Sequence, residues 1–79
     1  MLDTIRGILA SHGRMAVDPH AVSSGDDLYK LGLTSHATVN VMLALEDEFD
    51  IEFPDPVLKR STFATVDSIA EVIGSLANA

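Results

Sequence analysis

The 79-residue chain contains no cysteine, and its five lysines and arginines are outnumbered by twelve aspartates and glutamates. Without cysteine it has neither a disulfide framework nor a thiolate metal site, so any thiol chemistry must use a thiol supplied from outside the chain. The net charge of -7 makes nucleic acids and anionic membrane surfaces poor partners, because their phosphates repel it. Basic protein surfaces are the partners that this charge favours.

The chain also lacks a long apolar run. No segment approaches the roughly 20 apolar residues that a membrane helix needs, and the N-terminus lacks the charged-then-apolar pattern of a signal peptide. We therefore expect a cytoplasmic protein. A chain of 79 residues, 47% of them hydrophobic, accommodates a single domain over residues 1–79 with a modest core. It leaves little room for a catalytic cleft, so we do not expect an enzyme.

Apolar periodicity and helix-breaking residues predict four helices. Gly13 ends the first, Asp55 is the expected N-cap of a short third helix with Pro56 at its first position, and Thr65 is the expected N-cap of the fourth. The expected fold is all-α, a small four-helix bundle with three long helices and a short third one. The first three predicted ranges are Asp3–Ser11, Ser35–Asp50 and Asp55–Arg60, and Phe53, which precedes the third, is expected to pack inward.

The second helix is predicted to bury one stripe and to turn its polar residues toward solvent. The expected buried residues are Val39, Met42, Leu43, Leu45 and Phe49, and the expected exposed ones are Asn40, Glu46, Asp47 and Asp50. In the fourth helix the expected stripe is Val66, Ile69, Ala70, Val72, Ile73 and Leu76, and the chain is expected to fray at Asn78-Ala79.

A long ordered loop over Arg14–Thr34 is expected between the first two helices. Four apolar side chains predict that it is pinned to the core, and a loop of this length in a small domain usually has a function. The expected anchors are Val17, Val22, Leu28 and Leu31.

Ser35, where this loop meets the second helix, is the candidate functional residue. A hydroxyl at a helix N-terminus is most simply an N-cap, but free N–H groups and the helix dipole also favour an anion there. Ser35 and His36 are a poor nucleophile and base pair, because adjacent helical residues do not face one another. The acids from Glu46 to Asp55 lack the spacing of a calcium loop, so we expect no metal site.

Four separated blocks of the sequence carry a resemblance: Asp27 through Ser35, Val39 through Pro54, Phe63 through Ile69, and Val72-Ile73. In their order and spacing they resemble the acyl carrier protein family, over nearly the whole chain. The resemblance implies that Ser35 carries 4'-phosphopantetheine, transferred from coenzyme A by a phosphopantetheinyl transferase, and that the thiol of this arm holds the cargo as a thioester. It implies as partners an acyl- or amino-acid-activating ligase and a downstream transferase. We expect the carrier to be a monomer.

The segment around Ser35 departs from the family's Asp-Ser-Leu motif. Thr34 replaces the aspartate, His36 replaces the leucine, and Ala37 and Asn40 stand where fatty-acid carriers present acids. Because charge complementarity selects partners, we interpret these four residues as docking positions for a dedicated partner. The segment is also similar to the D-alanyl carrier proteins in its small residue, Thr-Val, amide and apolar run. This similarity favours an aminoacyl cargo loaded by a dedicated amino acid ligase over a fatty-acid or polyketide cargo.

Three alternatives stay open at the level of sequence. His36 is either a plain surface residue or a contact of the arm or of a partner. Met42 and its apolar neighbours belong either to the core or to the lining of a cavity for the cargo. The chain as a whole could instead be an acidic helical module that binds a basic partner without any prosthetic group.

Overall fold

The computed structural model describes residues 1–77; Asn78-Ala79, where fraying is expected, lies outside the described residues. Residues 1–77 form three α-helices and two short 3-10 turns, with no strand among them. The expected all-helical fold is confirmed. We label the helices α1 (Leu2–His12), α2 (Ser35–Phe49) and α3 (Val66–Ala77). No helix in this part of the chain is both long and apolar enough to cross a membrane.

Helix α1 begins and ends within one residue of its expected bounds. It buries Ile5 and Leu9 against the rest of the bundle. At its end the N–H of Gly13 donates to the Leu9 carbonyl at 2.8 Å. A Cβ at Gly13 would lie 2.6 Å from that same carbonyl oxygen, so the close turn requires glycine.

The expected short third helix over Asp55–Arg60 is wrong. The segment instead forms two separate 3-10 turns, Asp55–Val57 and Arg60–Phe63. Pro54 rather than Asp55 is the N-cap of the first turn. The backbone leaves the helical region at Leu58 and is extended at Lys59, with φ -140° and ψ 160°, which interrupts any continuous helix.

Helix α2 buries the expected stripe only in part: Leu45 is buried, and Met42 and Phe49 are half-buried against the core. The buried residues are Ala37, Val41 and Leu45, which follow one another at intervals of four. Val39 and Leu43 were expected inside but are 52% and 53% exposed. The helix ends at Asp50, which adopts the left-handed conformation with φ 52° and donates its N–H to the Glu46 carbonyl.

The acids of α2 were all expected to face solvent, but one of them does not. Glu46 is half-buried, and its carboxylate accepts a hydrogen bond from the Phe53 N–H at 2.9 Å. This bond ties the chain after α2 back onto the helix. The ring of Phe53 packs inward as expected and meets the ring of Phe63 edge-on, with the centroids 5.5 Å apart.

Helix α3 begins at the expected cap. The Thr65 hydroxyl accepts from the Ser68 N–H at 2.9 Å, and the Ser68 hydroxyl accepts from the Thr65 N–H at 3.2 Å. Its fully buried residues, Val66, Ile69 and Ile73, belong to the expected stripe. The other members of that stripe, Ala70, Val72 and Leu76, are half-buried against the core.

The loop between α1 and α2 is fastened at several places. Arg6 of α1 donates to the carbonyls of Pro19 and Val22 at 2.7 and 2.6 Å. Leu28 is completely buried, and its N–H donates to the Ala64 carbonyl at 2.7 Å. Of the expected anchors, Val22 and Leu31 are half-buried, but Val17 is exposed and does not pin the loop.

Candidate functional site

The loop delivers two adjacent hydroxyls to the N-terminus of α2, and they have different environments. Thr34 is the N-cap, and its hydroxyl oxygen accepts from the Ala37 N–H at 3.0 Å. Ser35 is the first helical residue, is exposed, and makes no side-chain hydrogen bond within residues 1–77. The cap is therefore Thr34 and not Ser35, so the Ser35 hydroxyl is available for chemistry.

The backbone before this pair is shaped by Gly32. Its φ of +113° lies in a region that residues with a Cβ rarely adopt. A Cβ there would also approach the backbone nitrogen of Ala16 to 3.3 Å. The turn at Gly32 therefore brings the loop close to the segment after α1 and directs the chain into Thr34 and Ser35.

Ser35 opens onto a groove of about 460 Å³ between α2 and the two 3-10 turns, which we call the Ser35 groove. Its walls are mostly apolar and its polar groups are hydroxyls and two cations. Among residues 1–77, no aspartate or glutamate belongs to its lining. The lining residues are Tyr29, Ser35, Thr38, Val39, Met42, Leu58, Lys59, Arg60 and Phe63.

The two cations of the groove are neighbours in sequence. Arg60 places its guanidinium 4.0 Å from the centroid of the Tyr29 ring, a cation–π contact that restrains an otherwise exposed side chain. Lys59 precedes it in extended backbone. Sequence reasoning missed this part of the site, because it assigned both cations to the end of a single short helix.

A second groove, of about 710 Å³, lies between α1 and α2, and we call it the α1–α2 groove. It contains side chains of both charges. Its lining residues are Ile8, Ser11, His12, Arg14, Asn40, Leu43, Ala44, Asp47 and Glu48. Arg14, at its edge, adopts a left-handed backbone with φ 52°.

The four expected docking residues do not form one surface. Ala37 is only 3% exposed and packs in the core, so its expected role in docking is wrong. The Thr34 side chain caps α2. His36 and Asn40 are exposed, and Asn40 lines the α1–α2 groove rather than the Ser35 groove.

The apolar residues of α2 were expected either to belong to the core or to line a cavity for the cargo, and the structure divides them between these roles. Met42 is half-buried and, with Val39, lines the Ser35 groove. Leu45 belongs to the core and Leu43 to the α1–α2 groove. Within the described residues, no cluster of histidine, aspartate and glutamate side chains could hold a metal ion.

Comparison with known proteins supplies the family. The family model described as the phosphopantetheine attachment site matches residues 3–73. The chain belongs to this family. It is thus a carrier protein with 4'-phosphopantetheine as its prosthetic group, and the resemblance to acyl carrier proteins is confirmed.

Within this family, the chain is similar to one curated relative and to carrier proteins in two solved structures. The aminoacyl carrier protein of Agrobacterium fabrum is 43% identical over 70 residues, covering 89% of this chain and 84% of the relative. A carrier protein from Agrobacterium tumefaciens, bound to an engineered Bradyrhizobium japonicum glycine:[carrier protein] ligase and AMP, is 42% identical with a TM-score of 0.91, over 94% of this chain and 99% of that one. A structure of the Bradyrhizobium japonicum glycine:[carrier protein] ligase in complex with glycylated carrier protein gives 27% identity and a TM-score of 0.77, over 90% of this chain and 95% of that one.

The residues at the N-terminus of α2 fit the prosthetic group. A free primary hydroxyl can form a phosphodiester, and the unpaired N–H groups and dipole of the helix favour the negative charge that results. The groove beside it offers apolar walls, hydroxyls and two cations to an arm that mixes methyl and methylene groups with a hydroxyl and two amides and is anionic at its root. When bound, the arm supplies the thiol that the chain itself lacks.

Proposed function

We propose that Ser35 is the attachment site of 4'-phosphopantetheine and that the arm carries an aminoacyl group as a thioester. A dedicated amino acid ligase loads the carrier, and a downstream transferase takes the group from it. The carrier itself catalyses no step. Its own contribution is to hold a nucleophilic hydroxyl at an exposed helix terminus and to present the loaded arm.

The hydroxyl of Ser35 is the observation that carries the assignment of the site. Its neighbours are engaged, since Thr34 caps α2 and the Thr38 hydroxyl donates to the Thr34 carbonyl at 2.7 Å. Ser35 has no such partner within residues 1–77 and faces the groove. In the modification, the Ser35 oxygen forms a bond to phosphorus of coenzyme A, adenosine bisphosphate leaves, and the hydroxyl proton is lost.

The nature of the cargo is supported by the relatives. The Agrobacterium fabrum relative is named as an aminoacyl carrier protein, and two of the similar structures are carriers in complex with a glycine ligase. The similarity to these carriers extends over most of the chain. We therefore propose a small amino acid, glycine first, over a fatty-acid or polyketide cargo.

The assignment of Ser35 is tested by intact-mass measurement. The protein is incubated with coenzyme A and a broad-specificity phosphopantetheinyl transferase, and we expect wild type to gain one phosphopantetheine group. Ser35→Ala should gain none, whereas Ser61→Ala, which alters another exposed serine, should gain as much as wild type. An equal gain on Ser35→Ala would contradict the site, and no gain on wild type would favour an interaction module without a prosthetic group.

The cargo is tested on the modified protein. It is offered, in parallel, to a glycine:[carrier protein] ligase with ATP and glycine and to an acyl carrier protein synthetase with ATP and a fatty acid. We expect efficient loading, read as a mass gain, only in the first reaction. Loading only by the synthetase would overturn the aminoacyl assignment while leaving the assignment of Ser35 intact.

Docking is proposed for the two expected residues whose side chains are exposed and uncommitted, His36 and Asn40. They lie in the first half of α2, near the proposed attachment site, where a partner that handles the arm must approach. The cytoplasmic location and the monomeric state stay predictions from the sequence.

A further inference from the structure

We propose that the charges of Lys59 and Arg60 determine whether the arm lies in the Ser35 groove, depending on whether it is empty or loaded with an aminoacyl group. They hold the empty arm in the Ser35 groove and repel the ammonium group of an aminoacyl cargo, so the loaded end extends into solvent. This inference rests on the proposed attachment to Ser35 and on the proposed cargo.

The composition of the groove supports the first half of this proposal. An arm attached to Ser35 finds the apolar side chains of Val39, Met42 and Phe63 in the same groove. Val39 is 52% exposed, so apolar surface remains there for an arm to cover. Covering such surface is favourable roughly in proportion to its area.

The distribution of charge also favours binding of the arm in this groove. The chain has a net charge of -7 and only five lysines and arginines, yet two of these line this one groove. The phosphodiester at the root of the arm is an anion. Because this anion and the two cations belong to the lining of one groove, salt screens their attraction less than it screens attraction between distant surface charges.

The same charges have the opposite effect on the far end of a loaded arm. An aminoacyl thioester keeps a free α-ammonium group, which, if it enters the groove, meets two cations and no carboxylate from residues 1–77 in the lining. An uncharged acyl group has no such conflict. The cation–π contact with Tyr29 restrains Arg60, so its charge cannot simply swing away without losing that contact.

The experiment compares three arms on the same protein. A phosphopantetheinyl transferase installs on Ser35 the plain thiol arm, an amide-linked glycyl arm, or an amide-linked N-acetylglycyl arm, each verified by intact mass. The amide replaces the thioester so that the cargo does not hydrolyse. Methyl NMR shifts of Val39 and Met42, relative to the unmodified protein, report whether the arm lies in the groove.

At a pH of about 6.5 the α-amino group is protonated, since its ordinary pKa is near 8. We expect the thiol and N-acetylglycyl arms to shift both methyl signals, and the glycyl arm to shift them less by about fivefold, as for one close pair of exposed charges. Equal shifts for the glycyl and N-acetylglycyl arms, or larger ones for the glycyl arm, would overturn the proposal.

A double substitution, Lys59→Gln with Arg60→Gln, tests whether these two cations are responsible. In this variant the glycyl arm should give shifts as large as those of the N-acetylglycyl arm. The matched control, Arg14→Gln with Lys30→Gln, removes two exposed cations that do not line the groove and should behave as wild type. Persistence of the difference in the first variant would contradict the role of Lys59 and Arg60.

The outcomes also separate this proposal from the one on which it rests. Failure of the transferase to add mass at Ser35 would contradict the attachment site, and this inference with it. A normal mass gain with unshifted Val39 and Met42 signals for all three arms would contradict only the inference. The methyl spectrum of each unmodified variant shows whether its fold is retained.

Discussion

The Ser35 groove and the α1–α2 groove share helix α2 but differ in charge. The Ser35 groove combines apolar walls with Lys59 and Arg60, whereas the α1–α2 groove contains the acids Asp47 and Glu48 beside His12 and Arg14. One helix therefore offers two surfaces with different chemistry. With the arm on Ser35, the first suits an attached anionic group, whereas the second carries charges of both signs.

The two grooves differ in the exposed side chains of α2, and the same buried residues of α2 lie beneath both. Leu45, one of these residues, is completely buried, whereas Leu43 is 53% exposed on the wall of the α1–α2 groove. We expect Leu45→Ala to lower the free energy of unfolding by about 2–5 kcal/mol, because it leaves a cavity. Leu43→Ala should change it by less than about 0.5 kcal/mol. Urea unfolding of both variants measures this, and similar losses would mean that the buried stripe is wrongly placed.

Two adjacent acids of α2, Glu46 and Asp47, also differ in how much they are expected to contribute to stability. Glu46 accepts the Phe53 N–H, whereas Asp47 lies on the wall of the α1–α2 groove. Glu46→Ala should cost about 1–3 kcal/mol, because the partly buried N–H of Phe53 loses its acceptor. Asp47→Ala should change stability by less than about 0.5 kcal/mol. Hydrogen exchange at Phe53 gives a local measure, and unchanged protection in Glu46→Ala would contradict the structural role of that carboxylate.

The two hydroxyls at the start of α2 give a smaller effect. Thr34→Ala should lower the free energy of unfolding by about 1 kcal/mol, the usual cost of losing an N-cap. Ser35→Ala should leave it within about 0.5 kcal/mol of wild type, because this hydroxyl makes no hydrogen bond with any other group of residues 1–77. Thermal or urea unfolding of the unmodified proteins compares them, and a larger loss in Ser35→Ala would reassign the cap.

The smallest effect is expected from charges in the α1–α2 groove. Replacing Asp47 with Asn and Glu48 with Gln should change the association rate with the loading ligase by about threefold or less at physiological salt, since exposed charges act mainly on encounter. The change should fade at higher ionic strength. Glu71→Gln, an exposed acid on α3, is the control. A salt-independent effect, or an equal effect of Glu71→Gln, would contradict this use of the groove.

Much of the fold follows from local signals in the sequence. The bounds of α1, the inward packing of Phe53 and the Thr65 cap of α3 were all predicted correctly from capping residues and periodicity. The buried face of α2 was predicted only in part, because Leu45 is buried as expected but Val39 and Leu43 are not. This helix is apolar on several sides between Val39 and Leu45, so its period does not select one face, and packing against α1 and the rest of the core decides which side is buried.

The site was predictable only in part, for a similar reason. The position of Ser35 at the mouth of a helix could be read locally, but the assignment of the cap to Thr34 depends on the backbone that each residue adopts. The contribution of Lys59 and Arg60 depends on how the segment between α2 and α3 folds back beside α2. Two prolines and the extended backbone at Lys59 make that path irregular, and periodicity gives no signal for it.

Because Thr34 provides the N-cap of α2, the start of this helix does not rely on the Ser35 hydroxyl. The hydroxyl proposed to carry the arm belongs to a different residue, so placing an arm on Ser35 would remove no hydrogen bond formed among residues 1–77. The end of α2 is capped before such a modification and equally capped after it. An enzyme that modifies Ser35 would therefore meet a capped helix end rather than a frayed one.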